Sequence, residues 1–174
     1  MELKKYSFLF PSKEYWMPSA INDIRLKFRR SYLGPFWIAI SSAITIAALG
    51  YVFINFFDQQ PATYLPYLAC GVVIWNYITT TISESSIILI ENRPAIQNIK
   101  TPISAYFFRV NLRNLITVIV NMTVVILVLL FFSDLSQVKL FHTVVALGIL
   151  IGNLFWIGSL SAIISVRFRD VPHM

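Results

Sequence analysis

Arg25, Lys27, Arg29 and Arg30 put four bases within six residues. The chemistry open to them is attraction of anions, and the anionic headgroups of a lipid surface are the simplest partner. A solvated basic flank is the plainer alternative. Groups that could make or break bonds are scarce. The sequence holds no Gly-x-x-x-x-Gly-Lys-Ser/Thr run to cradle a nucleotide and no His-Glu-x-x-His. His142 and His173 are its only histidines and Cys70 its only cysteine, so neither a metal centre nor an internal disulfide is expected. Serines are plentiful, but no Ser–His–acid set is indicated. Asn55, Asn76, Asn121 and Asn153 read as hydrogen-bonding residues between helices rather than as substrate ligands. No catalytic residue is expected on this chain.

The elements that position these residues follow from four stretches almost free of charge: 36–57, 64–83, 115–133 and 140–166. Charged residues are 13% of the chain, well below the ~25% of a soluble domain. A hydrocarbon core ~30 Å thick needs ~20 apolar residues per helix, and each stretch meets that length. Buried helices of a large soluble protein are the rival, but four such stretches leave too little polar sequence to cover them. If all four cross, the linkers alternate sides. Thirteen of the 14 Lys and Arg residues then share one side, and only Lys139 lies on the other. Basic flanks stay cytoplasmic. The chain therefore reads as an all-α, polytopic helical membrane protein of an inner membrane, with four transmembrane helices and both termini cytoplasmic. The net charge of +6 could suggest nucleic acid; the topology explains it without such a partner.

Residues 1–35 read as a cytoplasmic interface segment and 36–174 as the transmembrane domain. Ser19, after Pro18, is placed as an N-cap with Asp23 in the first turn. Ile21, Ile24 and Phe28 then share one face, which predicts an amphipathic interface helix over about 19–31. Gly34 and Pro35 end that pattern and open the first span. Residues 58–62 make an outer turn around Pro61. Glu84 would be costly inside the bilayer, so it is placed at or below the inner boundary, or facing a polar path. The segment 91–102 is broken by Pro94 and Pro102, with Ile96 and Ile99 available for a short amphipathic helix. Arg109 and Arg113, four apart, share a face. Gly148-x-x-x-Gly152, and Gly158 with Ala162, are spaced for close helix packing within the subunit.

In order along the chain, several runs resemble a known family. Asp23-Ile24-Arg25-Leu26-Lys27-Phe28-Arg29-Arg30-Ser31-Tyr32-Leu33-Gly34-Pro35-Phe36-Trp37 looks like the N-terminal signature of ABC-2-type permeases, in the branch that exports polysaccharides such as O-antigen, capsule and teichoic acid. Tyr67-Leu68-Ala69-Cys70-Gly71 with Val73-Ile74-Trp75-Asn76 resembles that branch's second span. Arg109, Arg113-Asn114-Leu115-Ile116 and Asn121 resemble the start of its third, and Arg167-Phe168-Arg169-Asp170 the cytoplasmic end of its fourth. Phe28 stands where many relatives have Tyr, and Ser41-Ser42 where some have proline. Family members usually have six membrane helices. With four, and four residues after Asp170, the chain is expected to be a truncated fragment or a remnant.

The resemblance implies a mechanism. Two permease subunits form the path as a homodimer, and separate ATP-binding subunits carry ATP and Mg, so this chain needs no cofactor of its own. The coupling loop would hold Glu91, Arg93, Pro94, Lys100 and Pro102, with Arg93 and Lys100 as contacts to the ATPase. The interface helix with Arg25, Lys27, Arg29 and Arg30 would lie among membrane lipids, near a lipid-linked polysaccharide. Tyr51, Trp75 and Tyr77 are candidates to line the path; lipid-facing or core aromatics are the alternative for each. The expected place is a bacterial inner membrane. An exporter of a drug or small lipid keeps the same fold, and a non-transporting membrane scaffold is the reading from another class.

Overall fold

In the computed structural model, residues 13–29, 31–98, 102–132 and 139–168 are described. Among them 89% are helical and none lies in a strand. Helix α1 is Lys13–Lys27, α2 Phe36–Phe57, α3 Pro61–Glu91, α4 Arg93–Asn98, α5 Ser104–Phe132 and α6 Leu140–Arg167. Four of these, α2, α3, α5 and α6, are long and apolar enough to cross a membrane. Only 17–22% of each apolar window is buried within the chain. Water would not tolerate so much exposed apolar surface, whereas hydrocarbon solvates it. The protein is an all-α, polytopic helical membrane protein, as its hydropathy pattern predicts.

Local chemistry sets the helix ends. Gly34 adopts φ 54°, and its N–H donates to Ser31 Oγ at 3.2 Å. That left-handed turn is cheap for glycine and lets the chain break direction before Pro35. At the other end of α2, Asp58 takes φ 52° as the C-cap, a conformation that Asp tolerates better than most side chains. Pro61 opens α3, where its missing N–H costs nothing. Asn92 joins α3 to α4: its Nδ2 donates to the Ile88 carbonyl at 2.8 Å, and its own carbonyl accepts from the Ile96 N–H at 2.9 Å.

Three elements differ from the sequence-based expectation. Helix α1 starts before Ser19, so Ser19 is not its N-cap and Asp23 is not in its first turn. Pro18 sits inside the helix near its start, where it removes one backbone hydrogen bond without ending the helix. The side of α1 packed on the protein carries Trp16 and Ala20, which the apolar pattern of Ile21, Ile24 and Phe28 does not include. Ala20 is fully buried and the Trp16 ring lies against Phe108, tilted by 31° with centroids 5.3 Å apart, whereas Ile21 is exposed. Lastly, α3 runs past Ser83 to Glu91, and α5 begins at Ser104 rather than near Leu115. At ~1.5 Å per residue these helices are about 46 and 44 Å long, well beyond a ~30 Å core. Hydropathy marks where charge begins; the helices continue because that charge is paired.

The residues fall into two packing units. One takes α1, α3 from Ile78, α4, α5 up to Asn114 and α6 from Ala146. Its core is Ile88, Tyr106, Phe107, Val110 and Ala162, with Leu89, Ile96 and Phe155 packed against it. A helix of six residues is not stable alone, and Ile96 on this core is what holds α4. Gly158 permits α6 to approach α3 closely: a Cβ there would lie 2.7 Å from Ser85 Oγ. Gly158 and Ala162 thus pack within the chain as their spacing predicts, while a Cβ at Gly148 or Gly152 would meet nothing within 4 Å.

The other unit takes α2, α3 up to Tyr77, α5 from Leu115 and the start of α6. Buried Ser42 Oγ donates to Asn121 Oδ1 at 3.3 Å, joining α2 to α5. Asn121 is thus a hydrogen-bonding residue between helices, as read from the sequence; such bonds in lipid contribute about 0.6 kcal/mol on average. Asn55 and Asn153 instead bond back to carbonyls of their own helices, Tyr51 at 2.7 Å and Ile149 at 2.9 Å.

Candidate functional site

Five charged residues of α1, α3 and α5 form one network within the first unit. On α1, Asp23 and Lys27 are four apart; on α5, Arg109 and Arg113 are four apart. Each pair therefore shares a helix face. Asp23 accepts two hydrogen bonds from Arg109, from Nε at 2.7 Å and Nη2 at 2.5 Å. It accepts a third from Arg113 Nη1 at 3.1 Å. Arg113 Nη2 donates to Glu84 on α3 at 2.8 Å, and Lys27 Nζ reaches the other oxygen of Glu84 at 3.5 Å. One guanidinium thus bridges two carboxylates, and three helices are tied by five charged side chains.

Burial sets how much these contacts matter. The Asp23, Arg113 and Glu84 side chains are 12%, 17% and 21% exposed, against 49% for Lys27. The Arg109–Asp23 pair has the forked geometry that makes guanidinium–carboxylate bonds strong and directional. The Lys27 contact is long and open to solvent, and such contacts contribute ~1 kcal/mol or less. Beside the network lies a cleft of about 300 Å³ lined by Asp23, Lys27, Glu84, Glu91 and Arg113, with Leu26 and Ile87. The cleft presents both signs of charge and no nucleophile. Among the described residues no group of three His, Cys, Asp or Glu side chains could hold a metal ion.

The segment 91–102, expected to form a coupling loop, includes α4. Arg93 and Pro94 form its first turn and are exposed, Glu91 ends α3 in an exposed position, and Pro102 precedes α5. Ile96 gives α4 an apolar side, as its sequence predicts. Lys100 and Ile99 lie outside the described residues, as does Arg30. The basic run is divided: α1 ends at Lys27, short of the expected residue 31, so Arg29 lies beyond the helix. Arg25 and Arg29 are exposed and make no ion pair among the described residues, whereas Lys27 turns toward Glu84. The three candidate lining aromatics are not equivalent: Tyr51 and Trp75 are exposed, and Tyr77 is buried in its unit.

The network itself is missed by a residue-by-residue reading of the sequence, although its parts are visible. Glu84 is identifiable as an acid in need of a polar setting, and Arg109 with Arg113 as a pair on one face. Asp23 is misread as a helix-start acid. A usable signal is the match of spacings: an acid and a base four apart on one helix, two bases four apart on another, and an acid within an otherwise uncharged run on a third.

No protein-family model matches this chain, and no curated protein matches it. The resemblance to ABC-2 permeases rests on the residues quoted for it.

Proposed function

We propose that this chain is the membrane-spanning permease subunit of an ATP-driven ABC exporter that moves a lipid-linked polysaccharide across a bacterial inner membrane. The observation that carries the reading is α4, a short helix held between two membrane-crossing helices with Arg93 and Pro94 exposed. A docking helix of that kind lets a soluble ATPase act on the spans it joins. Thirteen of 14 bases fall on the side of α4 when the linkers alternate, which supports a cytoplasmic position for it and for both termini. The lack of a nucleotide loop fits a chain whose ATP and Mg are held by a partner subunit. A homodimer completes the path in this reading. Exposed Arg25 on α1 and exposed Arg29 just after it supply positive charge for membrane lipids and for the phosphate of the lipid-linked cargo.

Affinity purification of the tagged chain from its own membranes tests this. A nucleotide-binding subunit is expected to copurify, and Arg93→Glu to cut its recovery about tenfold, the loss of one charge-assisted contact and its reversal. Gene deletion is expected to remove surface polysaccharide while cells still grow. Purification with no nucleotide-binding partner would contradict export. Unchanged surface polysaccharide after deletion would contradict the cargo.

A further inference from the structure

A second depression in the first unit has a different character from the charged cleft. Its volume is about 550 Å³, within the ~300–1,000 Å³ range of ligand pockets. Leu89 and Ile90 at the end of α3, Ile96 on α4, Ile103, and Ile163 and Val166 on α6 supply its apolar walls. Its polar groups are Arg93 and Gln97. These two are four apart on α4 and therefore stand on one face, along one lip. Arg93 is exposed and makes no ion pair among the described residues. Glu91, the nearest acid in sequence, lines the charged cleft instead.

We infer that this groove binds one anionic phospholipid, with its phosphate on Arg93 and an acyl chain along the apolar wall. Depth supports this occupant. On α3 the short apolar run Ile87–Ile90 lies between Glu84 and Glu91, and Val166 is followed by Arg167, the last residue of α6. The groove therefore lies where membrane-crossing helices change from apolar to charged, which is headgroup level. Charge supports it too. A guanidinium matches phosphate oxygens with two parallel donors, and the Gln97 amide adds a third. A free phosphate would leave the six apolar side chains uncovered, and a neutral lipid would leave Arg93 unmatched. The inference goes beyond the export reading and does not rest on it.

The test places the purified full chain in nanodiscs of phosphatidylcholine with a minor share of phosphatidylglycerol, then extracts it gently and identifies retained lipid by native mass spectrometry. The expected result is about one phosphatidylglycerol per chain, enriched roughly tenfold over its bulk share, the worth of one charge-assisted contact. Arg93→Gln is expected to abolish the enrichment. Ile163→Trp, which fills the groove, is expected to reduce retention of both lipids, while Ile119→Trp at an exposed site in the other unit leaves it unchanged. Retention in proportion to the bulk mixture, enrichment unaffected by Arg93→Gln, or equal binding of soluble glycerol phosphate would each overturn the inference. Recovery of a nucleotide-binding partner by the unsubstituted chain is a separate readout, and because Arg93 serves both readings, Ile163→Trp, which leaves Arg93 in place, is the variant that separates lipid binding from docking.

Discussion

Replacing Arg113 with methionine is expected to destabilise the fold by about 3 kcal/mol, at the lower end of the ~3–5 kcal/mol seen when one member of a buried ion pair is removed. The lower end applies because Asp23 keeps its forked contact with Arg109. Glu84 is the group left exposed to the loss. Its remaining cation is Lys27 at 3.5 Å, on a side chain half open to solvent. The cost is therefore the desolvation of a carboxylate that has lost its close partner, rather than the strength of one hydrogen bond. A double-mutant cycle separates these terms. Arg113→Met with Glu84→Gln is expected to cost less than the sum of the single variants by about 1–3 kcal/mol. Lys27→Ala is expected to cost less than ~1 kcal/mol. Unfolding in mixed micelles, followed by tryptophan fluorescence, measures all four. Strict additivity, or equal effects of Arg113→Met and Lys27→Ala, would contradict the network as described.

The second large effect is expected at Gly158. A Cβ there would sit 2.7 Å from Ser85 Oγ and 3.1 Å from Ser85 Cβ. The hydroxyl can rotate away, but the Cβ is fixed to the backbone of α3. Gly158→Ala must separate two helices by a few tenths of an ångström, and overpacking of that kind costs about 1–3 kcal/mol. Gly158→Leu is expected to prevent the chain from folding as described, because Ala162 and Ser165 extend the same buried small-residue face of α6. Ser85→Gly is expected to restore most of the stability lost in Gly158→Ala, since it removes both contacting atoms. Gly148→Ala and Gly152→Ala, with open space around them, should be neutral or stabilise by up to ~1 kcal/mol through helix propensity. Thermal unfolding of the five variants decides the matter. A Gly158→Ala variant as stable as Gly152→Ala would remove the close approach of α6 to α3.

These two sites show what a single sequence reveals in lipid. The four spans are legible because hydropathy depends on composition alone, and 36–57 matches α2 residue for residue. The charged extensions of α3 and α5 are not legible, because hydropathy treats Glu84, Arg109 and Arg113 as the end of a span. Only their pairing, across 29 residues for Glu84 and Arg113 and 86 for Asp23 and Arg109, lets the helices continue. The same holds for α1. Pro18 before Ser19 has the form of a helix start, yet Trp16 on Phe108 and Ala20 in the core outweigh that local preference. The glycines carry the same lesson. Gly148-x-x-x-Gly152 has the stronger pattern, and Gly158 has the contact.

Site-directed labelling of single cysteines tests the central claim, that lipid surrounds four crossing helices whose linkers alternate sides. Gln59, between α2 and α3, and Gln97, on α4, are both exposed. Each is replaced by cysteine in a Cys70→Ser background and treated with a membrane-impermeant maleimide in intact cells and in inside-out vesicles. The account predicts that Gln59→Cys reacts in cells, Gln97→Cys reacts in inside-out vesicles, and neither reacts in both. Labelling of the two positions from the same side would contradict the crossing of α3.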